Sequence, residues 1–223
     1  MKLGDVVFDV GPHNGFFTMK AAECVGTTGT VVAVEASVIN WHIVNKMMRC
    51  NRLSNVQLVF GAAYSEDGKE LTLHSQSGAD GANISTVGNT VAPDHFIGRR
   101  SNRTVRTFKT EGRTVTSMTV DALLQRLDLP RIDHLHCTIN GVEMDVLQGA
   151  VRAIERHSPE VVVADRFHQH AATAGTPDLR SWLEQHGYHY FRDFDIRLGQ
   201  HALYDNGTLH ASQTRSFDPP DFL

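Results

Sequence analysis

The chain has 223 residues, enough for one domain with a full core, and its 41% hydrophobic and 21% charged residues are those of an ordinary globular protein. A formal net charge of −4 leaves no global basic field to gather nucleic acid. No apolar run approaches membrane-spanning length, and the opening MKLGDVVFDVG lacks the apolar core and cleavage site of a signal peptide.

In chain order, Val6–Val10 is a short β-branched run and reads as a buried strand. Residues 15–25 read as a helix ended by Gly26, and residues 30–36 (TVVAVEA) as a second buried strand. Residues 40–50 are helical, and residues 55–63 (NVQLVFGAA) form a third strand. The alternation predicts an α/β, Rossmann-like fold: a mostly parallel sheet with helices on both faces. Residues 70–76 and 113–120 read as edge strands. The polar, glycine-rich stretch between them, residues 77–112, is functional or mobile at that length. The alternation then resumes with a helix at DALLQRL, a strand at 132–139, a helix at 142–156 and a strand at PEVVVAD. A helix at 178–186 and strands at 188–194 and 201–204 complete a seven-stranded sheet. No linker or internal repeat divides residues 1–223, so one domain is expected, with about 75–112 as a substrate-side insertion.

Cys24, Cys50 and Cys137 are odd in number, far apart and without a CxxC. They read as reduced, buried thiols of a cytoplasmic protein. The thirteen histidines show no ligand spacing and indicate no metal by number alone.

The first turn, Gly11-Pro12-His13-Asn14-Gly15, joins a strand to a helix whose first N–H groups point at whatever binds there. It lacks the middle glycine of G-x-G-x-x-G, and Phe16 stands where a Walker loop needs lysine. Asp9, just before the turn, is hostile to phosphate and suits a ligand with cationic or hydroxyl groups, such as S-adenosylmethionine. Glu35 ends the second strand about 20 residues on, where an acid accepts both ribose hydroxyls. The plainer alternative, that Asp9 and Glu35 cap the helices that follow them, stays open at this point.

DVGPHNGFFT, VVAVEAS, the two asparagines of NRLSN, TVDALL and HLHCTINGVEMDVLQGA together resemble the FkbM-type methyltransferases over roughly residues 5–165. The resemblance implies a class I enzyme that moves a methyl group from S-adenosyl-L-methionine, typically to a hydroxyl oxygen of a sugar or natural product. It implies a cofactor site at Asp9, Gly11, His13, Asn14, Gly15, Phe16 and Glu35, with His13 as a turn and cofactor contact. Ala36, Ala62 and Ala63 would line the same site. Related enzymes often place an acid at the end of the third strand to read adenine. Ala62 cannot do this, which leaves backbone groups and packing, Tyr64 included.

The fourth parallel strand ends in His136-Cys137-Thr138-Ile139-Asn140-Gly141, where the family pattern resembles K-I-D-V-E-G-x-E. Lysine is replaced by His136 and two carboxylates by Thr138 and Asn140, while Gly141 and Glu143 are kept. The catalytic candidates are Asp165 and His168 just past VVVA as an acid–base pair, with Thr138 and Asn140. His170 is a further candidate base and His136 a weaker one. Asp165, Asn140 and a histidine could suit a divalent metal such as Mg²⁺, but no clustered spacing supports it. Helix-terminus electrostatics account for Glu143 and Asp145.

Residues 98–113 carry six basic residues and one acid around the lone aromatic Phe108, which reads as a solvated loop or a lid over an anionic substrate more than as an RNA surface. The expected partner is a small hydroxylated acceptor, with neither nucleic acid nor membrane. The acceptor side would come from residues 77–112, from the segment after Asp165, or from another subunit of a homo-oligomer. A non-catalytic homologue that binds cofactor or a protein partner, and an RNA methyltransferase, are the alternatives.

Overall fold

The computed structural model describes residues 1–77, 109–139, 141–164, 178–194 and 208–214. Two sheets organise them. The larger contains β1 (Val6–Val10), β2 (Thr30–Glu35), β3 (Val56–Phe60), β7 (His134–Cys137), β8 (Glu160–Ala164), β9 (Tyr190–Phe194) and β10 (Thr208–Ser212), in the order β3-β2-β1-β7-β8-β10-β9. The first five positions are parallel, and β10 lies antiparallel between β8 and β9. Strand order reverses between β1 and β7, so the carboxyl ends of these two strands flank the crevice where such sheets hold ligands.

Strand alternation sorts the side chains of β1 and β2 between two cores. Val6, Phe8, Val10, Val32 and Val34 join one cluster, which includes residues of α3 (Val120–Arg126), α4 (Glu143–Gln148), α5 (Val151–His157) and α6 (Leu179–Gln185). Val7, Val31 and Ala33 face the other way, against Ala21, Ala22 and Val25 of α1 (Phe16–Val25) and Met48 of α2 (Val38–Cys50). Helices therefore cover both faces, as the alternation predicts. Asp9 and Glu35 share the parity of Val7 and Ala33 and lie on the α1 side.

Three elements differ from the sequence expectation, each for a tertiary reason. The third strand breaks at Gly61, whose φ is 154° and whose N–H donates to Glu35 O at 3.0 Å. The chain then crosses to a second sheet, where β4 (Ala62–Ala63) pairs with β6 (Lys109–Met118) and β6 pairs with β5 (Glu70–Ser77). The two expected edge strands belong to this separate sheet, not to the edge of the large one. The single helix expected at 142–156 is two helices. Gly149 O accepts from Asp121 N at 3.0 Å, and the Asp121 carboxylate accepts from Arg152 N at 3.1 Å and Ala153 N at 2.8 Å. A residue of α3 thus caps α5. Gly149 also passes so close to the backbone of Tyr64 that a Cβ there would lie 2.1 Å from its carbonyl oxygen. The last described strand is β10, in which Leu209 and Ala211 are buried. The strand expected at 201–204 lies outside the described residues, as does most of the stretch 77–112.

Asp121→Ala removes the carboxylate that caps α5 and leaves the backbone N–H that meets Gly149 O. Urea unfolding should show a loss of about 1–2 kcal/mol, the range for helix caps.

Candidate functional site

The first turn is built by its backbone. Gly11 (φ 77°), His13 (φ 57°) and Gly15 (φ 80°) all adopt left-handed conformations. Glycine takes these freely, whereas histidine does so at a cost. Gly15 N donates to Pro12 O at 2.8 Å, and Gly11 N donates to Val34 O at 3.0 Å. A Cβ at position 11 would meet Ile139 Cγ2 at 2.5 Å, and one at position 15 would meet Met47 Cε at the same distance. The glycines therefore let the end of β7 and the face of α2 close onto the turn. Gly15 N-caps α1 without a side-chain hydrogen bond, and Asn14 Oδ1 accepts from Phe16 N at 3.1 Å. The Phe16 side chain is 65% exposed beside the turn.

Asp9 has no exposed surface. Oδ1 accepts from His136 Nδ1 at 3.0 Å, and Oδ2 accepts a short hydrogen bond from Thr18 Oγ1. Phe17 stacks on the His136 ring with centroids 3.7 Å apart. Asp9 thus ties β1 to α1 and β7 from beneath the turn. His136, within β7, belongs to this support and not to the strand end.

Glu35 is also buried, 5% exposed, at the end of β2. Its Oε2 accepts from His13 N at 3.2 Å and its Oε1 from Ser37 N at 2.8 Å. The acid that closes the second strand therefore holds the centre of the first turn. Burial pushes its pKa up to about 7, and the charge of Asp9 adds to this, while the Ser37 and His13 N–H groups and the Asn40 side chain pull it back. The His13 ring is held below its ordinary value by partial burial. Ser37 caps α2 by accepting from Asn40 N at 3.4 Å.

The other expected lining residues take mixed positions. Ala36 packs on a small core with Ala62, Leu73 and Val115, and Ala63 joins the main core. Tyr64 lies near Asp145, where burial and that carboxylate push its pKa up to about 12. Phe60, the β3 partner of Glu35, is 48% exposed. It presents an aromatic surface on the same side as the acid, a role the sequence reading did not assign.

At the end of β7, Thr138 is exposed and its N–H reaches Val10 O at 3.4 Å, so the strand end sits beside the turn. Glu143 is fully buried and accepts from Gly141 N at 3.0 Å. Burial, reinforced by Glu143 and Asp9, holds the Cys137 thiol well above its ordinary value. Cys24 and Cys50, expected to be buried, are exposed on α1 and at the end of α2. Asn140, Asp165, His168 and His170 lie outside the described residues. Among the described residues, no group of three or more His, Cys, Asp or Glu is placed to hold a metal ion.

Thr18, Ser37 and Asn40 carry much of this geometry and were missed as site residues. Ser37 had a readable signal, a serine at the start of a helix, and Asn40 had none. Thr18 had none, because its partner is nine residues away across a strand and a turn.

Residues 9–190 match the methyltransferase FkbM domain model, so the chain belongs to that family. Among solved structures it is similar to the FkbM methyltransferase of Methylobacillus flagellatus KT, at 14% identity and a TM-score of 0.57, over 94% of this chain and 43% of that one. It thus spans less than half the length of that relative. It is also similar to the precorrin-6y C5,15-methyltransferase of Geobacter metallireducens GS-15, at 13% identity and a TM-score of 0.51, over 95% of this chain and 79% of that one. At these identities the structures establish a Rossmann-like methyltransferase fold. No curated protein matches the sequence significantly. Among the described residues, no helix is long and apolar enough to cross a membrane.

The folded chain keeps the Glu35 proton up to about pH 7, whereas the unfolded chain releases it near 4.5. The folded state then binds more protons between these values, so stability falls as pH rises through that window, by up to about 3 kcal/mol. Urea unfolding at about pH 5 and about pH 8 should show this loss, and Glu35→Gln should remove most of the difference.

Proposed function

We propose that this protein is an S-adenosylmethionine-dependent methyltransferase that acts on a hydroxyl oxygen of a small metabolite, sugar or natural product. The observation that carries the reading is the contact between Glu35 and the backbone of His13. The acid at the end of β2 and the bend after β1 form one cradle at the point where strand order reverses. Glu35 would accept the ribose hydroxyls. The N-terminus of α1 would meet the carboxylate of the amino-acid end. Phe60 supplies apolar surface for the base in place of the acid that Ala62 lacks. Asp9, spent on Thr18 and His136, would act by holding the turn in shape.

The bound sulfonium would supply an already electrophilic methyl group, so the protein's task is to hold an acceptor oxygen in line and to receive its proton. Asp165 and His168, which follow β8 in the chain, are the proposed acid–base pair, with Thr138 and Asn140 as further candidates. We place the protein in the cytoplasm on its three dispersed, free cysteines.

A second reading, cofactor binding without methyl transfer, is favoured by one feature. Where the family pattern carries carboxylates at the end of β7, Thr138 is neutral, and the retained Glu143 is withdrawn from solvent to hold Gly141. Turnover with any hydroxylated acceptor would remove this reading.

Calorimetric titration with S-adenosylhomocysteine should show binding, and Glu35→Ala should weaken it by about 10-fold to 100-fold through the lost hydroxyl hydrogen bonds. Absence of heat and of any thermal shift with wild-type protein would sink the proposal.

A further inference from the structure

The ladder between β1 and β7 ends at the first turn with one carbonyl unspent. Alternate residues of β1 bond to opposite neighbours. Val10 O accepts from Thr138 N, just past β7, at 3.4 Å, and Gly11 N donates to Val34 O of β2 at 3.0 Å. The next residue due to face β7 is Pro12, which has no N–H. Thr138 O is therefore left without a donor from the ladder, and among the described residues no hydrogen bond reaches it. It lies 3.6 Å from where a Cβ on Gly11 would stand, so it faces the turn. Thr138 is an exposed residue, which leaves this oxygen within reach of a ligand.

Neighbouring carbonyls at the strand ends are spent. Val10 O, Pro12 O, Val34 O and Glu35 O accept from the N–H groups of Thr138, Gly15, Gly11 and Gly61. The nearby acids are closed as well. Asp9 has no exposed surface, and its oxygens accept from His136 Nδ1 and Thr18 Oγ1. Glu143 is fully buried and accepts from Gly141 N. The acid that precedes the turn is shut away from a ligand, while a neutral carbonyl beside the turn is open.

The amino-acid end of the proposed cofactor carries its carboxylate and its ammonium on one carbon. With the carboxylate at the N-terminus of α1, the ammonium falls close to the same place. The first turn of α1 packs on β7, where Phe17 stacks on His136 with centroids 3.7 Å apart. Thr138 follows two residues later, on the same side of the strand. An ammonium brings three donors and no acceptor, and a carbonyl oxygen with free lone pairs suits it.

We infer that Thr138 O accepts a hydrogen bond from the ammonium of the cofactor's amino-acid end, and that Asp9 serves this end only through the shape of the turn. The inference rests on the proposed nucleoside site. It gives Pro12 a part in recognition, since the ladder ends there before this oxygen is used.

Calorimetry tests it by comparing S-adenosylhomocysteine with its analogue lacking the α-amino group, on wild-type and Asp9→Asn proteins. Wild type should prefer the amine by about tenfold, the equivalent of one hydrogen bond to a charged group. Asp9→Asn should weaken both ligands and keep their ratio within about twofold of the wild-type ratio. An acid that met the ammonium itself would lose the preference on this change, and that loss overturns the inference. A second readout needs only wild-type protein, so it stands if Asp9→Asn fails to fold. Thr138-Ile139 is the only Thr-Ile pair in the chain, so labelling threonine carbonyl carbons and isoleucine nitrogens isolates one NMR signal. It should shift with S-adenosylhomocysteine and stay nearly still with the analogue. Equal movement with both bound ligands, or no movement with either, overturns the inference. So does a wild type that binds the two with equal affinity. A wild type that binds neither removes the nucleoside site itself, and this inference with it.

Discussion

A carboxylate buried in a protein has to be supplied with hydrogen-bond donors, and this chain buries two of them side by side on one face of a parallel sheet. Asp9 receives donors from α1 and β7, and Glu35 receives them from the first turn and the start of α2. Each acid sits on a strand and reaches elements that arrive from other directions. The position of the glycine bend, the tilt of α1 and the entry of α2 follow from meeting those demands together. A neutral residue at either place would remove the reason for three elements to converge.

The two acids divide the work. Asp9 has a side-chain donor on each oxygen and no exposed surface, so it stiffens the floor of the crevice. Glu35 is held mainly by backbone N–H groups, which leaves it capacity for a ligand. Its burial has consequences of opposite sign. The charged form is costly in the free protein, which is why its pKa is raised to about 7. The same charged form is the better acceptor for hydroxyls, so conditions that weaken the empty fold improve the cradle.

The remainder of the fold brings the carboxyl ends of β1 and β7 together without using the residues that would react. Gly11 is pressed by Ile139, and Thr138 is bonded to Val10, so the fourth parallel strand is locked to the turn over a short distance. The second sheet leaves from Gly61, immediately after the strand that carries Phe60, and so flanks the same end of the large sheet.

The sequence by itself determined the alternation of strands and helices, the first turn with its two glycines, and the acids that precede and follow it. These are legible because hydrophobic periodicity and the glycine demand at positive φ are local properties of the chain. Val6–Val10 and the span of α2 could be read almost to the residue for this reason. Only the tertiary structure decided that residues 55–63 change sheets at Gly61, that residues 142–156 are split by Asp121 from another helix, and that TLHAS enters the sheet between two earlier strands. It alone decided that Asp9 spends its oxygens on Thr18 and His136, and that Ser37 gives its N–H to Glu35. Such outcomes turn on which of several acceptors a donor reaches first once distant segments have packed, and no local pattern of residues records that competition.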